Sequence, residues 1–266
     1  MEEIKVWYYK EGTRNNFGDF LGDYIPRKLS NKKIIYTPVQ SPNMKYVTVG
    51  SVLNHMIGIN KNCIIWGSGI MTKNDTIPKG VKLLAVRGPY TQERLRKLDI
   101  TPPEIIGDPA LILKKIYNPS VEKKYKLGII PHYVDYEYVK NKLKDNKEIK
   151  VIDLITNDIE KTIDEIISCE NTISSSLHGV IVSHTYDIPS VWVKFSNKLF
   201  GNSVAMGNNI KFRDYFTSVG IKPYDGLNYI NKEIKIEDVL KDIENNENLI
   251  VDFDFDKLME SCPFLK

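Results

Sequence analysis

Short apolar runs alternate along this chain with stretches in which apolar residues recur every three or four positions. That rhythm predicts an α/β protein whose strands run parallel under a cover of helices. Strands are expected over residues 4–9, 33–36, 63–66 and 83–86. A Gly/Asn/Asp loop at 15–19 leads into a helix that stops before Ser30, and Pro89 suits the first turn of another that runs to Leu98. The pattern then restarts. Strands are expected over 127–130, 150–155, 172–173 and 191–193, and helices over 136–143, 158–167 and 177–186, with Asn157 capping the second of these. Near the C-terminus Ile236, Val239, Leu240 and Ile243 form an apolar stripe, which predicts terminal helices packed on the surface. Asp252, Asp254 and Asp256 alternate with Phe253 and Phe255 and read as an exposed edge or turn.

Between the two series lies a segment, 117–126, with Asn118-Pro119, few apolar residues and a lysine cluster. It reads as a linker between two domains, 1–120 and 121–266. The expected architecture is a pair of Rossmann-like domains facing across a cleft, an arrangement that resembles GT-B. In open parallel sheets ligands bind beyond the carboxyl ends of the strands, and the unusual loops of this chain all follow predicted strands.

Composition narrows the field. With 266 residues the chain can bury a sizeable core without staples, and 42% hydrophobic with 27% charged residues excludes a disordered or fibrous chain. The net charge of +3 gives no reason to expect a nucleic-acid partner. Cys63, Cys169 and Cys262 lack C-x-x-C spacing and are expected to be reduced, buried thiols. The acidic start of the chain does not look like a signal peptide, and no apolar stretch nears the roughly 20 residues that span a bilayer. A soluble, cytoplasmic protein is expected.

The richest chemistry lies at Ser174-Ser175-Ser176-Leu177-His178-Gly179, where three hydroxyls follow a strand and open a helix. Backbone N–H groups at a helix start attract anions, and His178 in the first turn can exchange a proton with a bound ligand. The alternative is that the serines only cap the helix. His184 shares the apolar stripe of Leu177, Val180 and Ile181 and is expected in the core, whereas His132 ends a strand and is expected in the cleft. His55 receives no role. Arg is scarce, so Arg87 at a strand end draws attention. Its planar fork suits a carboxylate or phosphate, or else a structural salt bridge. Arg94 and Arg96 are expected on a solvated face. Asp108 either accepts from a sugar hydroxyl or caps the next helix. Lys198, Lys211 and Arg213 either close an anion pocket over the His178 helix or are solvated. Gly67-Ser68-Gly69 is too short for a dinucleotide fingerprint, and no Walker sequence occurs.

The chain resembles the polysaccharide pyruvyl transferase family. The resemblance rests on Asn16-Phe17-Gly18-Asp19, Val86-Arg87-Gly88-Pro89, Gly107-Asp108-Pro109-Ala110, Ile130-Pro131-His132-Tyr133 and Ser176-Leu177-His178-Gly179, followed by Ile188-Pro189-Ser190, in that order. It implies a GT-B-like fold. It also implies transfer of pyruvate from phosphoenolpyruvate to sugar hydroxyls as a ketal, in capsule, exopolysaccharide or cell-wall assembly. His178 and Arg87 are the implied catalytic residues. Asn16, Asp19, Asp108, His132, Ser175, Ser176, Leu177, Lys198 and Lys211 are the expected substrate contacts. The donor is expected on the second domain and the sugar on the first, with Arg87 reaching across on cleft closure. No cofactor or metal is expected beyond phosphoenolpyruvate as donor substrate. A lipid-linked oligosaccharide acceptor would bring the protein to the inner membrane face. A GT-B glycosyltransferase using a nucleotide sugar, or a non-catalytic glycan-binding subunit, are the other readings of these loops.

Overall fold

The computed structural model describes residues 2–10, 15–30, 32–197, 207–246 and 253–265. Two parallel five-stranded sheets carry the chain. The first contains β1 (Glu3–Val6), β2 (Lys33–Tyr36), β3 (Lys45–Val47), β4 (Cys63–Trp66) and β5 (Lys82–Ala85), in the order β2-β1-β3-β4-β5. The second contains β6 (Tyr125–Ile130), β7 (Ile149–Val151), β8 (Cys169–Ser174), β9 (Ser190–Lys194) and β10 (Leu227–Asn228), in the order β10-β9-β8-β6-β7. Numbered within its own half, each sheet has the order 2-1-3-4-5. This is the flavodoxin-like variant of the doubly wound Rossmann-like fold, with the strand order reversing beside its first strand.

The helices are α1 (Phe17–Leu29), α2 (Pro89–Arg96), α3 (Leu113–Ile116), α4 (Tyr136–Leu143), α5 (Ile159–Ile167), α6 (Leu177–Thr185), α7 (Ile210–Ser218), α8 (Ile236–Glu244) and α9 (Phe255–Glu260). Helix α1 begins where Asn16 Oδ1 accepts the Gly18 N–H at 3.0 Å. Asp158 caps α5 by accepting the Lys161 N–H, in place of the expected Asn157. Asn157 instead accepts from Asn15 Nδ2 at 2.7 Å and so ties the two halves together.

Several elements lie outside the expected ones, β3, α7 and β10 among them. Strand β3 is short and contains Lys45, which is fully buried with its ammonium donating to the Val39 and Ser41 carbonyls at 3.0 and 2.7 Å. Helix α7 buries Lys211 and Asp214 beside Ile210, Phe212, Tyr215 and Phe216, so it shows no clean polar face.

The halves are not loosely tethered. Phe17, Leu21 and Ile25 of α1 share one core with Ile163, Ile167, Val180 and Ile181 of the second half. The Phe17 N–H donates to the Leu154 carbonyl at 2.7 Å and the Thr156 N–H to the Asn15 carbonyl at 3.0 Å. The segment 117–124 carries no helix or strand, yet Tyr117 Oη donates to Asp164 and Lys123 Nζ to the Ile167 and Cys169 carbonyls. Helix α8 packs on β9, whereas α9 returns to the first half. There Trp66 Nε1 donates to Ser261 Oγ at 2.9 Å, and Phe264 meets Trp66 edge-on. Asp254 caps α9 on the Lys257 N–H, and Phe253 and Phe255 pack against the core. Asp252 lies outside the described residues. Relative motion is the default for two domains unless a large apolar interface opposes it, and here an apolar core and backbone bonds join the halves. No helix among the described residues is long and apolar enough to cross a membrane.

Candidate active site

The carboxyl ends of both sheets open on one cleft of about 1110 Å³. Asn16 and Asp19 come from the connection after β1, and Ser51 and Asn54 from that after β3. These two connections flank the point where the first sheet reverses its strand order. His132 follows β6, and Ser176, Leu177 and His178 follow β8, flanking the equivalent reversal in the second sheet. Two topological switch points therefore face each other, and such points are where open parallel sheets hold ligands.

The three serines have different tasks. Ser174 Oγ donates to the Ile130 carbonyl at 2.7 Å and accepts the Ser176 N–H at 3.0 Å, fixing the turn into α6. A Cβ on Gly179 would lie 2.3 Å from that Oγ, so the turn needs glycine there. Ser175, expected at the substrate, is fully buried behind the wall. Its Oγ accepts the His132 N–H at 2.8 Å and donates to Asp135 at 3.2 Å, bracing the His132 loop. Ser176 lines the cleft at the N-cap of α6 and makes no capping bond with its side chain. The first-turn N–H groups of α6 therefore receive no side-chain cap from Ser176.

His178 is held from two sides by the first half. Its Nε2 lies 3.5 Å from Asp108 Oδ2, and neither atom has a hydrogen-bond partner among the described residues. Asp108 is fully buried and its Oδ1 caps the following turn on the Ala110 N–H at 3.0 Å. It is not among the cleft-lining residues, and of the two sequence alternatives the cap is formed. The other side of the imidazole lies on Gly18, where a Cβ would sit 2.1 Å from Nδ1. Gly18→Ala must therefore displace the imidazole. We expect turnover to fall roughly ten- to a hundredfold with little change in melting temperature, the cost of a misplacement near 1 Å. Unchanged turnover in Gly18→Ala would show that the ring has room to spare.

Lys211, on the first turn of α7, and Asp19, on the first turn of α1, line the same cleft. Burial pushes the Asp19 carboxyl up to about 6, against the opposing attraction of His178 and Lys211. Burial pushes the Lys211 ammonium down to about 8, helped by Arg87 and opposed by Asp19. His132 also lines the cleft, and burial together with Lys211 lowers it to about 3, so it is neutral at pH 7. These groups feel one another across a poorly solvated space, a pattern that clusters at functional sites. Among the described residues no group of three or more His, Cys, Asp or Glu is arranged to hold a metal ion. Lys198 lies outside the described residues.

Arg87 is not in the cleft wall. It is fully buried, with Nε 3.1 Å from Asp214 Oδ2 of α7. Its two terminal nitrogens donate to Ser51 Oγ and the Ile70 carbonyl, both at 2.6 Å. Asp214 also accepts from the Thr91 N–H and hydroxyl at 3.0 and 2.6 Å. Of the two sequence alternatives, the salt bridge is the one formed. The reach between halves expected on closure is already made, as a buried clasp. Gly69 and Gly88 allow it, since a Cβ on Gly69 would lie 2.5 Å from the guanidinium carbon and one on Gly88 would lie 2.1 Å from the Asp214 carbonyl. That close approach explains glycines for which the sequence offered no ligand. Arg94 is likewise structural, its Nε donating to the Asp75 carbonyl at 2.7 Å and so holding a cleft-lining loop. Arg213 pairs with Asp225, and His55 is exposed in a 3-10 turn.

His184 is a core residue, as its helical spacing predicts. Its Nε2 faces the Ser190 carbonyl at 3.2 Å, so that nitrogen carries the hydrogen and Nδ1 accepts from Tyr215 Oη at 2.9 Å. Burial lowers its pKa from 6.5 to about 4. Between those values the unfolded chain binds a proton that the native state refuses, so stability falls as pH drops from about 6.5 to 4. His184→Gln is expected to lower the melting temperature at pH 7 and to flatten this acid limb, with turnover kept in the folded fraction. A stable but inactive variant would place His184 in the chemistry.

The fold and cleft define a two-sheet α/β protein with a cleft lined by titratable side chains between its halves. The chain belongs to the polysaccharide pyruvyl transferase family, whose model matches residues 8–197. It is also 31% identical over 228 residues to an uncharacterized protein of Acanthamoeba polyphaga mimivirus, covering 83% of this chain and 76% of that one. No solved structure matches. Sequence reasoning missed Ser51 and Asp214. Asp214 sits among aromatic residues in a helix and carries no local signal of its partner Arg87, which is 127 positions away.

Proposed function

We propose that the cleft transfers a pyruvyl group from phosphoenolpyruvate to two hydroxyls of a sugar, giving a cyclic ketal. The observation that carries this reading is His178 at the start of α6, backed by Asp108 and opening on the cleft that Lys211 also lines. The donor brings a carboxylate and a phosphate, for which the Lys211 ammonium and the α6 N–H groups are suited. His178 takes the proton of the attacking hydroxyl. Arg87 acts at one remove, setting Ser51 and the α7 helix that bears Lys211. Lys198 belongs to the donor side in this scheme. We place the donor on the second half and the sugar against the first, where Asn54, Thr72 and Asn74 line the cleft beside Met56 and Ile57. Two doubly wound sheets sharing one cleft support a GT-B-like arrangement of units 1–120 and 121–266, with α9 crossing back. The product fits capsule, exopolysaccharide or cell-wall synthesis, and a lipid-linked acceptor would be met from the cytoplasm at the inner membrane face. Thermal stabilisation separates the readings. Phosphoenolpyruvate should raise the melting temperature and nucleotide sugars should not. The reverse result would indicate a glycosyltransferase, and stabilisation by glycans alone a binding subunit.

A further inference from the structure

The proposed reaction needs two proton-handling groups. One proton must arrive at the donor's methylene carbon, and each acceptor hydroxyl must lose one. An imidazole already free to accept the hydroxyl proton is not the acid that protonates carbon. Dividing the two tasks calls for a second acid beside His178. The cleft offers Asp19, Lys211 and His132. Lys211 is needed as a cation for the donor. His132 is fastened through its backbone to Ser175, and burial with Lys211 lowers it to about 3, so it is a far scarcer acid at pH 7 than Asp19.

Asp19 is placed differently. It directly follows Gly18, the residue on which the His178 ring rests. Its carboxyl lines the cleft, where it faces the charges of His178 and Lys211. Gly50, at a φ of +101°, bounds it on the β3 side, where a Cβ would lie 3.3 Å from Oδ1. Gly18 thus leaves space for the imidazole and Gly50 for the carboxyl, within reach of each other's charge at the facing switch points.

We infer that Asp19 is the carboxylic acid that protonates the methylene carbon of the donor, an inference that rests on the pyruvyl-transfer reading above. The Asp19 proton goes to C3 as the C2=C3 π pair forms the new C3–H bond, leaving C2 an oxocarbenium centre stabilised by its ester oxygen. The first sugar hydroxyl attacks C2 and its proton passes to His178. The C2–O bond to phosphate then breaks, phosphate leaves with the electron pair, and it takes the proton from His178. The second hydroxyl closes the ring at C2 and returns its proton to Asp19. Both side chains end as they began, and the products are the ketal and inorganic phosphate. Burial raises Asp19 to about 6, so the protonated form is a minor fraction at pH 7, yet far larger than an ordinary aspartate holds.

The test is phosphate release with phosphoenolpyruvate and a panel of glycoside acceptors, with donor binding followed by calorimetry. Asp19→Asn should lower kcat by at least about a hundredfold while donor affinity stays within about threefold. Asp19→Glu, which keeps the acid and moves it, should recover activity above the Asn variant. Should Asp19→Asn fail to fold, the Glu variant decides, with a lowered kcat at unchanged donor affinity expected and wild-type kcat contradicting the role. Asp19→Asn with near-normal kcat, or with a loss confined to donor affinity, overturns the inference. If the unaltered protein releases no phosphate with any acceptor, pyruvyl transfer itself fails and Asp19 with it. That outcome differs from one in which wild type turns over and Asp19→Asn keeps pace.

Discussion

His178→Ala is expected to fold normally and to lose at least about a hundredfold in turnover, the usual weight of a positioned acid–base group. The side chain lies against Gly18 on one face and Asp108 on the other, and its Nε2 has no partner whose loss would unfold the protein. Truncation removes the imidazole and leaves the α6 N–H groups and Lys211 in place, so donor affinity should change little. Asp108→Asn is the companion variant. It preserves the cap on Ala110, which needs only an acceptor oxygen, but replaces the carboxylate facing Nε2. A partial loss of kcat with donor affinity kept is expected. If His178→Ala turns over near the wild-type rate, the acid–base assignment is wrong.

The second large effect concerns stability. Arg87→Met should destabilise the fold by about 3–5 kcal/mol, the typical cost of leaving one member of a buried ion pair uncompensated. Asp214 would keep its two Thr91 donors but lose the only cation that meets its carboxylate among the described residues. The double variant Arg87→Met with Asp214→Leu should recover part of the loss, because it removes both charges together. Arg87→Lys keeps the charge but cannot serve Asp214, Ser51 and the Ile70 carbonyl at once. Its folded fraction should show weakened donor binding through a shifted Lys211. Denaturant titrations of the single and double variants check this. A wild-type midpoint for Arg87→Met would mean the clasp contributes nothing, and Arg87 would then have to be reconsidered as a ligand.

Much of this was legible from residues. The αβ rhythm, the helix start at Leu177 and the core position of His184 all follow from spacing, because apolar periodicity reports directly which face is buried. The neighbourhoods of charged groups were not legible. Arg87 and Asp108 both sit at strand ends, where sequence suggests ligands, yet both point into the protein. Whether a strand-end side chain meets solvent or the other half depends on how two sheets pack, and no local pattern encodes that. Helix α7 was hidden for the same reason: its buried Asp214 and Lys211 are polar by sequence and interior by packing. Gly18 and Gly69 read as loop residues and proved to be spaces for His178 and Arg87, visible only once both partners are in place.

The most direct test of the central claim is an assay of the unaltered protein with phosphoenolpyruvate and a panel of glycosides, measuring inorganic phosphate and the mass of the sugar product together. The account predicts one phosphate released for each pyruvyl ketal formed, and no release when acceptor is omitted. Consumption of a nucleotide sugar with phosphoenolpyruvate left intact would contradict it.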